Sequence, residues 1–107
     1  MWKFRSPRPP KGTVVEEEWY LSQYPDVKAG IKLRRFRSAQ HHFITYGYRE
    51  GRVPSKPTMD EAWYLETNPD VAEAVKSGRF KSAYDHFMKN GYREGRKPNA
   101  NGMISGA

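Results

Sequence analysis

The chain has no cysteine, which excludes a disulfide framework and any metal site that needs a thiolate. Apolar residues are scarce at 36%, and no run approaches the roughly eighteen that a membrane-spanning helix requires. The N-terminal stretch lacks the apolar core of a secretion signal, so a cytoplasmic location is the expectation. No nucleophile–histidine–acid spacing is present, and the glycines of Gly47-Tyr48-Arg49-Glu50-Gly51-Arg52 are not followed by the Lys-Ser/Thr of a phosphate loop. His42 and His86 have only Glu50 and Asp85 as nearby candidate co-ligands. The expectation is therefore no enzyme, no catalytic residue, no cofactor and no metal.

Aromatic residues are plentiful, at 14%. A core poor in aliphatic side chains must come from a few large rings, each burying about 150–250 Å². The charge is +7 and uneven. Residues 1–14 carry +4, residues 15–58 carry +3, and residues 59–107 are neutral. Such a field favours acidic partners: nucleic acid, anionic lipid heads or an acidic protein face.

One motif occurs twice, forty-four residues apart. Aligning 15–58 with 59–102 gives 21 identities in 44 positions without a gap. The identities include Trp19-Tyr20-Leu21 with Trp63-Tyr64-Leu65, His42-Phe43 with His86-Phe87, and the hexapeptide 47–52 with 91–96. A period of this size marks stacked supersecondary units. The fold class expected is all-α: two stacked repeats, 15–58 and 59–98, of about three short helices each. An extended basic arm (1–14) precedes them and a tail (99–107) follows.

Within each repeat, first helices are expected near 15–22 and 59–66. In the second, Thr58 serves as N-cap and Glu61 as its capping-box partner; Thr13 and Glu16 are the equivalents. Second helices are expected at 25–32 and 69–77, with Asn68 as cap, Pro69 at the first position and Gly78 at the C-terminal stop. Gly30 should weaken the earlier copy. Third helices begin at Ser38 and Ser82 and end at Gly47 and Gly91. A helical period places Ala39, Phe43 and Tyr46 on one inward face, and Ala83, Phe87 and Asn90 likewise. In each Trp-Tyr pair one ring faces the core and the other its rim. A unit this short is not expected to bury its own aromatics.

Three surfaces are candidates for partner binding. The arm offers Trp2, Phe4, Arg5 and Arg8 on a proline-rich, extended backbone. The cluster 32–37 offers Arg34, Arg35 and Arg37, where the second copy reads Gly78, Arg79 and Lys81. The turns offer Tyr48, Arg49, Arg52, Tyr92, Arg93 and Arg96. Two readings of the turns stand side by side: arginines bracing Glu50 and Glu94 internally, or guanidinium forks gripping an anion.

Trp-Tyr-Leu-x-x-Asn-Pro-Asp-Val-Ala at 63–72, with Ser82-Ala83, His86-Phe87 and Glu94-Gly95-Arg96, resembles a short helical tandem repeat of bacterial proteins. That repeat occurs beside glycosyltransferase domains and in large secreted or surface proteins. The resemblance covers 88 of 107 residues, and the first copy departs from it at Tyr24, Lys28 and Arg34. It implies a bacterial origin and a non-catalytic accessory module. The leading expectation is an adaptor that binds a protein with an acidic face, in an envelope or polysaccharide-related assembly. Non-sequence-specific nucleic-acid binding through the arm and 32–37 is one alternative. Carbohydrate binding through Tyr48 and Tyr92 is another.

Overall fold

Proline, serine and glycine punctuate the helices. The computed structural model describes residues 8–102, and among these six α-helices, two π-helical turns and no strand are found. The chain divides into two compact units, Met1–Ser55 and Lys56–Ala107. Unit 1 holds α1 (Glu17–Gln23), α2 (Pro25–Lys32) and α3 (Ala39–His42), which runs on as a π turn, π1 (Phe43–Gly47). Unit 2 repeats the order with α4 (Glu61–Thr67), α5 (Pro69–Lys76), α6 (Ala83–His86) and π2 (Phe87–Gly91). The all-α, two-repeat fold is as expected.

Helix starts follow the sequence in part. Pro25 and Pro69 occupy first positions, and Ser38 and Ser82 cap α3 and α6 by accepting the His41 and Asp85 amides at 3.0 Å. The first helices begin differently from the expectation. Asp60, not Thr58, is the N-cap of α4, taking the Trp63 N–H. In unit 1 Glu16 holds that place with no side-chain cap, and the Thr13 hydroxyl donates to the Pro10 carbonyl. Glu61 is diverted from its own helix: its carboxylate accepts the Ala83 N–H at 2.9 Å and the Tyr84 N–H at 3.3 Å, capping α6. Glu17 takes the Ala39 N–H at 3.3 Å. Asn68 precedes α5 but makes no side-chain cap; its amide donates to the Tyr64 carbonyl.

Each unit closes on itself. The Pro54 carbonyl accepts the Glu16 N–H and the Pro98 carbonyl accepts the Asp60 N–H, both at 3.0 Å. Tyr20, Val27, Ala39, Phe43 and Val53 form the core of unit 1; Tyr64, Val71, Ala74, Ala83 and Phe87 form that of unit 2. Tyr20 meets Phe43 edge-on at 5.9 Å, and Tyr64 meets Phe87 at 6.0 Å. The buried rings thus pack against ring partners of their own unit. Of each Trp-Tyr pair, the tyrosine is inside and the tryptophan half-buried.

The inward face of the third helix also needs correction. A π turn holds more residues than an α turn, so the position after Phe43 that faces the core is Gly47 rather than Tyr46. Tyr46 is 41% exposed. The Tyr48 N–H reaches the Phe43 carbonyl and the Tyr92 N–H reaches that of Phe87, five residues back. A Cβ on Gly47 or Gly91 would lie 2.3 Å from the Tyr20 or Tyr64 hydroxyl, so only glycine fits. Gly30 sits within the intact α2, where its missing side chain makes room for the Phe36 ring.

Candidate functional site: internal braces and an arginine-lined bend

Five residue types identical in the two repeats build one polar chain in each unit. The Tyr20 hydroxyl lies 2.9 Å from His42 Nδ1, and Tyr64 lies 2.9 Å from His86 Nδ1. His42 Nε2 faces Glu50 at 3.8 Å, and Glu50 accepts from Arg52 Nε at 2.9 Å. Arg52 then grips Asp26 with both terminal nitrogens, at 2.8 and 2.7 Å. Unit 2 reproduces the chain through Glu94, Arg96 and Asp70. The fork-to-carboxylate geometry is the strong, planar form of the pair.

Electrostatics follow from burial and these contacts. Burial pushes the Tyr64 phenol up to about 12 and raises Tyr20 further. Burial lowers His42 and His86 below 6.5; the nearby arginines reinforce this and the glutamates oppose it. Their hydrogen bonds to the arginines hold Asp26 below its ordinary value and Asp70 at about 2.

Arg52 and Arg96 are therefore engaged within their own units. The first-copy departure at Tyr24 is absorbed here. Where Asn68 Oδ1 accepts from Arg96 at 2.8 Å, the Arg52 guanidinium lies 4.9 Å over the Tyr24 ring. The Tyr24 hydroxyl also takes the Val53 N–H. Tyr48 and Tyr92 are half-buried, edge-on to Phe43 and Phe87 at 6.0 and 6.1 Å. Arg49 is exposed and donates to the Thr45 carbonyl, and Arg93 is exposed. Trp2, Phe4 and Arg5 lie outside the described residues. Arg8 shares with Pro9, Pro10, Ile44, Thr45 and Arg49 an open cavity of about 640 Å³.

Arg34, Arg35 and Arg37 come together. With Ile31, Phe36 and His41 they line an open cavity of about 570 Å³ on the bend between α2 and α3. All three arginines are exposed, and none makes an ion pair with a carboxylate among the described residues. His41 Nδ1 is buried without a hydrogen-bond partner among the described residues. Arg34 holds φ +62, the left-handed region, where unit 2 has Gly78 at φ +88. Beside them Leu33 is 66% exposed.

Comparison with family models, curated proteins and solved structures finds no match. The site is thus read from its own chemistry. Among the described residues no group of three or more His, Asp or Glu converges as metal ligands do, and no helix is long and apolar enough to cross a membrane. Sequence reasoning missed the Tyr20–His42 and Asp26–Arg52 pairings. Their only trace in the sequence was that all these residues recur unchanged in both copies.

Proposed function

We propose that the chain is a non-catalytic helical-repeat adaptor whose first repeat docks on an acidic face of a partner protein. The observation that carries this reading is the unequal use of arginine. Arg52 and Arg96 are spent on internal carboxylates, whereas Arg34, Arg35 and Arg37 stand exposed around a cavity with the apolar Leu33 beside them. Clustered cations beside an exposed apolar side chain suit a protein interface, where arginine is enriched and an apolar contact anchors the complex. The histidines and carboxylates that recur in both repeats are already satisfied within each unit, which favours binding over catalysis. A cytoplasmic setting and a link to envelope or polysaccharide assembly belong to the same proposal; the resemblance of the repeat supports the latter.

The test is a cross-linking pull-down from a bacterial lysate, comparing the full chain with Arg34→Ser/Arg35→Ser/Arg37→Ser. The reading expects a captured protein cross-linked at the bend and lost with the triple substitution. Recovery of RNA or DNA alone, with binding falling steeply as salt rises, overturns it in favour of a nucleic-acid binder.

A further inference from the structure

The two repeats differ most informatively at one pair of positions, His41 and Asp85. In unit 2 the Asp85 carboxylate accepts the Lys81 backbone N–H at 3.0 Å and pairs with Lys89 at 3.2 Å. That side chain is only 19% exposed, so a carboxylate is built into the bend. The backbone of unit 1 is the same at this point. Ser38 has φ −165 and ψ 171, Ser82 has φ −164 and ψ 172, and both hydroxyls accept the amide three residues on at 3.0 Å.

The chemistry, however, is inverted. His41 stands in place of Asp85, Thr45 in place of Lys89, Arg37 in place of Lys81, and Arg34 in place of Gly78. The net charge of positions 34, 35, 37 and 41 is +3, against +1 at 78, 79, 81 and 85. Unit 1 thus lacks the internal anion but, with Thr45 counted against Lys89, keeps three cations: Arg34, Arg35 and Arg37 where unit 2 has Arg79, Lys81 and Lys89. Arg34 accepts a left-handed backbone in the place of Gly78, a conformation that glycine adopts freely and a side-chain-bearing residue does not.

We propose that the unit 1 bend binds a carboxylate side chain from an acidic segment of the partner protein, seated where unit 2 seats the carboxylate of Asp85. This rests on the adaptor reading and names its chemistry. Arginine forks at 34, 35 and 37 supply charge-assisted donors, with the Arg37 backbone N–H as the counterpart of the Lys81 amide. Ile31 and Phe36 give the cavity an apolar lining for the methylene stem of a glutamate or aspartate.

The experiment titrates the full chain at low salt with a synthetic acidic peptide, Gly-Asp-Glu-Asp-Glu-Gly, by calorimetry. Inorganic phosphate and single-stranded oligodeoxythymidylate are used in parallel arms. His41→Asp should install the internal carboxylate and weaken peptide binding about tenfold or more, whereas the charge-matched control Thr67→Asp should change it by less than about twofold. Arg37→Gln should weaken the peptide in the same direction, and Asp85→His should give unit 2 a second, weaker peptide site. His41→Asp binding the peptide as tightly as the parent, with Arg37→Gln equally silent, overturns the proposal. So does an oligonucleotide that binds more tightly than the peptide and is the arm lost in His41→Asp. If the peptide behaves as expected but the pull-down recovers no protein, the carboxylate site stands and the adaptor reading falls.

Discussion

The hydroxyl of Tyr20 meets Nδ1 of His42 at 2.9 Å in the core of unit 1, twenty-two residues away in sequence. Both groups are buried, so each satisfies a polar atom the other would leave stranded. Tyr20→Phe should destabilise the protein by about 1–3 kcal/mol, since the imidazole keeps its burial but loses its partner. Urea unfolding of Tyr20→Phe, His42→Phe and the double variant checks this. The double variant should cost less than the sum of the two, because both polar ends are then removed together.

Stability should plateau between about pH 6.5 and 10 and fall on both sides. His42 and His86 are held below 6.5 in the fold, so the unfolded chain takes up protons first as pH drops. Their contribution is full above 6.5 and is lost as pH falls through the folded values. Asp26 and Asp70 add a second loss below 3.8, continuing for Asp70 to about 2. On the alkaline side Tyr20 and Tyr64 resist ionisation in the fold, so stability declines above 10. Thermal midpoints measured against pH test the sign. A His42→Gln/His86→Gln variant should lack the decline that sets in as pH falls below 6.5.

Gly47→Ala and Gly91→Ala should each destabilise by about 1–3 kcal/mol, because the added methyl would meet the tyrosine hydroxyl of its own unit. Gly12→Ala serves as a contrast in which space is open and only the positive φ of 83 is strained. Chemical denaturation should rank Gly12→Ala as the milder change.

Arg34→Gly should stabilise the protein by about 1 kcal/mol by relieving the left-handed backbone, and Gly78→Arg should cost a similar amount. The same Arg34→Gly should weaken binding of the acidic peptide. A variant that gains stability while losing affinity separates strain kept for function from a packing fault.

Glu61→Ala should destabilise by about 1 kcal/mol through α6, whose first amides it caps, and not through α4 where it resides. Hydrogen exchange at the Ala83 and Tyr84 amides is the direct readout, with faster exchange expected there.

Local punctuation was legible in the sequence, because Pro25, Pro69 and Gly78 act through their own backbones and Ser38 and Ser82 through hydroxyls that reach amides only three residues on. The first-helix caps were not. Thr58 and Glu61 fit a capping box, but Glu61 does more good on the bare amides of a neighbouring helix, and no local pattern encodes that choice. The inward face of the third helix was missed at Tyr46 because a strict helical period hides a π turn; the paired glycines were its only mark. The internal use of Arg52 and Arg96 was one of two open readings, and their aspartate partners lie twenty-six residues away. The cationic bend was visible as composition, whereas the comparison that gives it meaning required seeing where Asp85 sends its carboxylate.

Glu16 and Pro54 tie the two ends of one copy together, as Asp60 and Pro98 tie the other. Each copy is thereby sewn shut at its own seam. A change of charge at position 41 or 85 then falls inside one seam and leaves the ties of the other copy as they are.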